Sequence, residues 1–431
     1  MTSADRYRSA ARVLHDVAKP MRVLSRLAWP ARIREEFIEG GASRMPRPEY
    51  GSFDAAPVVE ALDPVRRLLE PGQVVDDWLL RECDAIESTA RMLASIGTRS
   101  FHELSGDLYG LPTRPLRYDP TTPLDLARRI HAMIDELDRA RIVRPLPRDR
   151  TSEDVAAVLR PAVVAHFGSD APEIAIVDEL SANAVATTSR IKLRRDARFT
   201  ARDANQLLHH EAHIHVGTGL NGRAQTDLPI LAIGHPGTTR TQEGLAVYAE
   251  YLSGTLELDR LRRLADRVEA VHMVVEGADF VECYRWFLER SGHPEQAFES
   301  TRRIFRGAPI DGGAPFTKDC AYLSGFLSVA TFVRAAFVAG RADTIGLLFA
   351  GKLDLFAVPA LAELRAQGLC RPARFVPPWV LDPGWVLSHL TVTTFMQGID
   401  LDTVADAVGD LLSACPIVEI QHPDAAQPAS R

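Results

Sequence analysis

Along most of the chain, apolar side chains return every three or four positions, the period of an amphipathic helix. The pattern predicts helices over 58–69, 76–96, 123–137, 256–269, 280–290 and 320–339. Proline clusters at 46–57, 112–123, 145–147 and 371–383 separate these runs, because a ring nitrogen cannot donate within a helix. Only two stretches carry strand character, EIAIVD at 173–178 and a second strand within AVATTSRIKLR at 184–194. No internal repeat and no low-complexity block is present. The expected fold class is therefore α+β and mostly helical, with a small sheet. Residues 1–145 form an expected N-terminal helical region, 146–420 the part that carries the chemistry, and 421–431 a polar, proline-bearing tail.

Composition narrows the classes. The 431 residues carry 50 Lys+Arg against 57 Asp+Glu, a formal charge of −7. An acidic balance argues against nucleic acid as a partner, because phosphate neutralisation needs a basic field. The five cysteines (Cys83, Cys283, Cys320, Cys370 and Cys415) are scattered and odd in number. They form neither a disulfide framework nor a cysteine metal site, which fits a reducing, cytoplasmic setting. The apolar stretch 325–340 is broken by Arg334 and is expected to be a buried helix too short to cross a membrane.

Chemistry concentrates in FTARDANQLLHHEAHIHVGTGLNG, residues 199–222. Thr200 and Asp203 resemble a capping box, and a helix then runs through His209, His210, Glu211, His213 and His215 toward Gly217 and Gly219. Four histidines within seven residues stand far above the background of 13 in 431. Two pairings can share a metal. His209 and His213 are four apart, about 40° around a regular helix, but Glu211 then lies about 200° from His209 and cannot serve a bound water. His210 and His215 have Glu211 beside them, but they are five apart and about 140° round. One extra residue in the turn, a π-bulge, would bring the second pair together. Periodicity does not choose between them.

A second segment, TTRTQEGLAVYAEYLSG at 238–254, offers Thr239 or Thr241 as a helix cap, with Glu243 in the first turn. Small Gly244 and Ala246 would let this helix approach another closely. Glu243 could complete the two-histidine, one-carboxylate set of catalytic zinc sites. Upstream, Arg190, Lys192 and Arg194 alternate with Ile191 and Leu193, so on a strand the three cations share a face. That face would either border the cleft and bind a terminal carboxylate or blunt a solvated edge strand.

Taken together, His-Glu-Ala-His-Ile-His at 210–215, Asn221-Gly222-Arg223 and Thr241-Gln242-Glu243-Gly244-Leu245-Ala246 resemble the bacterial QEGLA-motif proteins. These are also named flavohaemoglobin expression-modulating proteins, and they are related to the microtubule-associated tyrosine carboxypeptidases of animals. Phe316-Thr317-Lys318-Asp319, Tyr322-Leu323, Gly325, Phe332 and Arg334 extend the likeness over about residues 100–380. The resemblance implies a zincin-like metallopeptidase core that holds Zn2+ and acts on a peptide or protein C-terminus, tyrosine or another aromatic included. It puts His210, His215 and Glu243 on the metal ligands and Glu211 on the catalytic glutamate. His213 falls where an apolar or aromatic residue is expected, and His209 lies outside the motif as a surface or packing residue. Tyr322 is a candidate donor to the oxyanion, and Arg190, Lys192, Arg194 and Arg223 are candidate substrate cations, ahead of Lys318 and Arg334. A regulatory protein that keeps the site unused, or a structural metal protein, is the alternative, although a structural site has no use for Glu211.

Overall fold

A computed structural model describes residues 2–117, 120–137, 146–180, 182–398 and 408–409. The tail at 421–431 and Cys415 lie outside the described residues. Helices dominate, and each of the six expected from periodicity is present, Pro123–Leu137 with unchanged ends. The periodic pattern also extends to helices that had not been singled out, among them Ser3–Ala18, Arg99–Tyr109 and Ser152–Phe167. The first and last of these open with a complete capping box, Thr2 with Asp5 and Thr151 with Asp154.

The sheet has three strands, β1 (Glu173–Val177), β2 (Ala184–Ala186) and β3 (Arg190–Arg194), in the order β1-β3-β2. The segment 184–194 thus holds two strands rather than one. They form an antiparallel hairpin closed where Thr187 N donates to Arg190 O at 2.7 Å. β3 runs parallel to β1 and lies in the centre, so the alternative of a charged edge strand is corrected: the edges are β1 and β2, and β3 is paired on both sides. Ile191 and Leu193 are fully buried, in one core with Val155, Leu159, Ala212 and Val216. By strand alternation Arg190, Lys192 and Arg194 take the opposite face.

The helix Pro236–Leu252 forms the hub. Leu245, Ala246, Tyr248 and Ala249 on it join a core that also takes Leu14, Leu62, Trp78 and Ile86 from the N-terminal helices. Its start is tied to those helices by His235, whose Nε2 lies 2.7 Å from Glu82 Oε2. On another side it packs against Cys320–Val338, with Gly244 against Gly325. The latter helix starts at Cys320 as the periodicity predicts, and the apolar stretch at 325–340 forms its later part. By length and composition it is long and apolar enough to cross a membrane, and Cys320 to Gly325 are buried within the protein. Cys83, Cys283, Cys320 and Cys370 are buried and unpaired.

Candidate metal and active site

The histidine segment is not a regular helix. Residues Leu208–Val216 form a π-helix between the α-helices Asp203–Leu207 and Gly217–Arg223. A π-turn bonds each N–H to the carbonyl five residues back, as Gly217 N does with Ala212 O. Residues five apart are therefore stacked one turn above each other. His210 and His215 accordingly meet, with ring centroids 5.0 Å apart. The expected capping at Thr200 is only half made: Thr200 N donates to Asp203 Oδ2 at 2.8 Å, whereas Thr200 Oγ1 accepts from Arg202 N at 3.3 Å.

Asn221 fixes the exit from the wide turn. It donates to the carbonyls of Phe349 and Phe375 at 2.8 and 2.6 Å and accepts from Arg374 N and Phe375 N at 2.9 and 3.0 Å. Its full hydrogen-bonding capacity is spent on two segments, one at Phe349 and one at Arg374 and Phe375. Gly219 and Gly222 are obligatory here: a Cβ would lie 2.2 Å from Thr188 Cγ2 at the first and 2.1 Å from Leu231 O at the second.

The third member comes from the hub helix. Its start differs from the expected caps: the helix begins at Pro236, where a fixed φ suits the first turn, so Glu243 lies mid-helix. Thr241 Oγ1 instead accepts from Leu355 N at 2.8 Å. Glu243 Oε2 stands 3.8 Å from His210 Nε2 and 3.7 Å from His215 Nε2. His210, His215 and Glu243 are, among the described residues, the one group of three whose ligand atoms gather within 4.8 Å. Glu211 stands beside them, with Oε1 3.9 Å from His210 Nε2 and Oε2 accepting from Ala186 N on the edge strand β2 at 3.1 Å.

Charges around the cluster are arranged in pairs. Glu250 is fully buried and accepts from Gln206 Nε2 at 2.9 Å and from Arg260 at 3.2 Å, and its Oε1 lies 2.6 Å from His210 Nδ1. Burial alone would raise its carboxyl, but the Arg260 guanidinium and His210 hold it down to about 2. That carboxylate keeps a proton on His210 Nδ1 and turns Nε2 toward Glu243. It was missed in the sequence, although Glu250 is seven residues after Glu243 and so about 20° from it on a helix. Burial likewise works against the Glu243 charge, yet the Lys318 ammonium and His215 hold its carboxyl well below the usual range. Lys318 Nζ donates to Glu243 Oε1 at 3.1 Å and to Tyr322 Oη at 3.4 Å, and Arg303 Nη2 reaches the same hydroxyl at 3.4 Å. Lys352, also unanticipated, donates to His215 O at 2.9 Å and Gln242 Oε1 at 3.1 Å.

The remaining candidates are not members of this group of gathered ligand atoms. Arg190 pairs with Glu173 at 2.7 Å and Arg194 with Asp196 at 2.6 Å. Lys192 is half-buried on the same strand, and Arg223 is exposed at the end of its helix. Arg334 donates to Thr394 Oγ1 at 2.8 Å on the surface. His209 and His213 form their own pair on the other side of the wide turn, with centroids 5.0 Å apart. Burial, reinforced by His166 and His209, pushes the His213 ring down to about 3 and keeps it neutral.

The Glu250→Gln change is expected to lower stability, because Arg260 loses its buried counter-charge, and to weaken metal binding about 10–100-fold, because a neutral amide no longer fixes the His210 tautomer. Competition against a chromogenic chelator reads this directly, and an unaltered affinity would remove Glu250 from the account. Among curated proteins none matches the chain. The family profile described as microtubule-associated tyrosine carboxypeptidase matches residues 35–398, most of its length. On that match, the chain belongs to the microtubule-associated tyrosine carboxypeptidase family.

Proposed function

We propose that the chain is a zinc-dependent carboxypeptidase that removes the last residue, tyrosine or another aromatic, from a peptide or protein. The observation that carries this reading is the meeting of His210, His215 and Glu243 with Glu211 alongside. The donor set fits the ion. Two imidazoles and a carboxylate are common catalytic zinc ligands, and separations of 3.7 and 3.8 Å are near the ~3.4 Å between two ligands of a tetrahedral zinc. An edge strand beside a helix that bears both histidines and the glutamate supports a zincin-like core.

Bound zinc would supply Lewis acidity toward water and the scissile carbonyl. Glu211 acts as general base. Its Oε2 is held by the Ala186 amide, which leaves Oε1 facing the cluster to take a proton from the attacking water and return it to the leaving amine. Tyr322 is placed to donate to the oxyanion, because its hydroxyl sits between Lys318 and Arg303. Lys318, Arg303 and Arg267 all approach the Tyr322 ring, at 4.9, 5.8 and 5.2 Å. Lys318 is paired with Glu243 and both arginines with Asp319, so a terminal carboxylate would share cations that already have counter-charges.

Treatment with a chelator is expected to abolish cleavage of free-ended peptides, with recovery on adding Zn2+, while amidated peptides resist throughout. Mass spectrometry of a peptide library gives the readout. Cleavage that persists after complete metal removal would sink the proposal.

A further inference from the structure

The wide turn presents a second group of imidazoles that the proposed reaction does not use. His209 and His213 reproduce the geometry of the first pair: centroids are 5.0 Å apart in both, and interplanar angles are 77° and 78°. His166, from the helix Ser152–Phe167, stands 4.5 Å from His213 on a further side. Among the described residues none of the three rings has a hydrogen-bond partner, and His166 Nε2, His209 Nδ1 and His213 Nδ1 are all shielded from solvent. His213 is 4 % exposed. A buried imidazole with an unpaired nitrogen costs free energy, and His213, flanked by two half-buried rings that each hold one shielded, unpaired nitrogen, points to a ligand that satisfies them. Phe167 and Phe375 wall the group, 4.6 and 6.4 Å from the His166 ring.

We infer that His166, His209 and His213 form a second binding site for a transition-metal cation, on the outer side of the π-helix from His210 and His215. Imidazole nitrogen favours Cu2+, Ni2+ and Zn2+ over the hard cations. Only the first group already gathers three ligand atoms within 4.8 Å. The outer one closes by rotation of the half-buried His166 or His209 ring, with water completing the shell. Both sites depend on one stretch of backbone, so an ion at the outer site braces the turn that brings His210 and His215 together. The site does not rest on the carboxypeptidase reading.

Copper(II) titration of the full metal-free chain tests it. The unaltered protein is expected to take two equivalents, and the double variant His166→Gln with His209→Gln one, with at least a tenfold loss in affinity for the second. Both chains keep His210, His215 and Glu243, so a failure of the inner site lowers both counts equally and leaves their difference readable. A variant that binds as much copper as the unaltered chain overturns the inference. Electron paramagnetic resonance on the unaltered protein gives an answer that does not depend on the variant folding. The two equivalents together should show nitrogen coupling from at least four imidazoles, two more than His210 and His215 supply, and a second equivalent with oxygen ligands alone overturns the assignment.

Discussion

Replacing Glu211 with glutamine is expected to leave the protein folded and metal-loaded while lowering turnover about 10²–10⁴-fold, the range of a lost general base. Glutamine has the same shape, and its side-chain oxygen can still accept from Ala186 N as the carboxylate does at 3.1 Å. What it lacks is a basic oxygen facing His210, His215 and Glu243. The three candidate ligands are untouched, so metal content per chain should stay constant while kcat falls. Elemental analysis and steady-state kinetics on the same preparation separate the two quantities. Equal turnover would show that water is activated without Glu211. Loss of the metal would make Glu211 a ligand and require a different mechanism.

The second large effect is expected from a contact between two helix backbones. A Cβ added at Gly244 would lie 2.3 Å from both the carbonyl carbon and oxygen of Gly325, and one at Gly325 only 2.1 Å from Arg240 O. These neighbours are backbone atoms, so no rotamer change can relieve the clash and the two helices must move apart. Gly244→Ala should therefore destabilise by about 3 kcal/mol, the upper end for overpacking. The displaced element carries Glu243, whose carboxylate meets Lys318 at 3.1 Å from the chain entering the other helix. Metal affinity should fall with stability, by about tenfold or more, as when a positioning partner is removed. Thermal melting and chelator competition check both halves. An unchanged melting temperature would show that the helices do not touch at this point.

Much of this site was legible in the chain because its signals are local. The five-residue spacing of His210 and His215 is incompatible with convergence on an α-helix, and the one-residue widening that it demands is the element found at Leu208–Val216. The small residues at Gly244 and Ala246 announced a close helix contact, and Gly244 makes it. What could not be read depends on long-range packing. Glu250 becomes a partner of His210 only when two segments 40 positions apart are laid together. Lys352 reaches the cluster across 137 positions. The alternation of Arg190, Lys192 and Arg194 with Ile191 and Leu193 gave the faces correctly, but it does not say where the strand sits in its sheet. Pairing of β3 with both β1 and β2 decided that. Helix starts were misplaced where proline and histidine, rather than threonine, opened the hub helix.

The wide turn also governs where the polypeptide travels after the histidines. An ordinary helix one residue shorter would align two imidazoles just as well, at four-residue spacing, but everything beyond would be rotated by about 100°. Thr218, which donates to Gln242 at 2.9 Å, and Asn221, which grips two segments at Phe349 and Phe375, would then face other neighbours. The additional residue thus sets the bearing of the outgoing chain, and with it the walls that stand behind the ion.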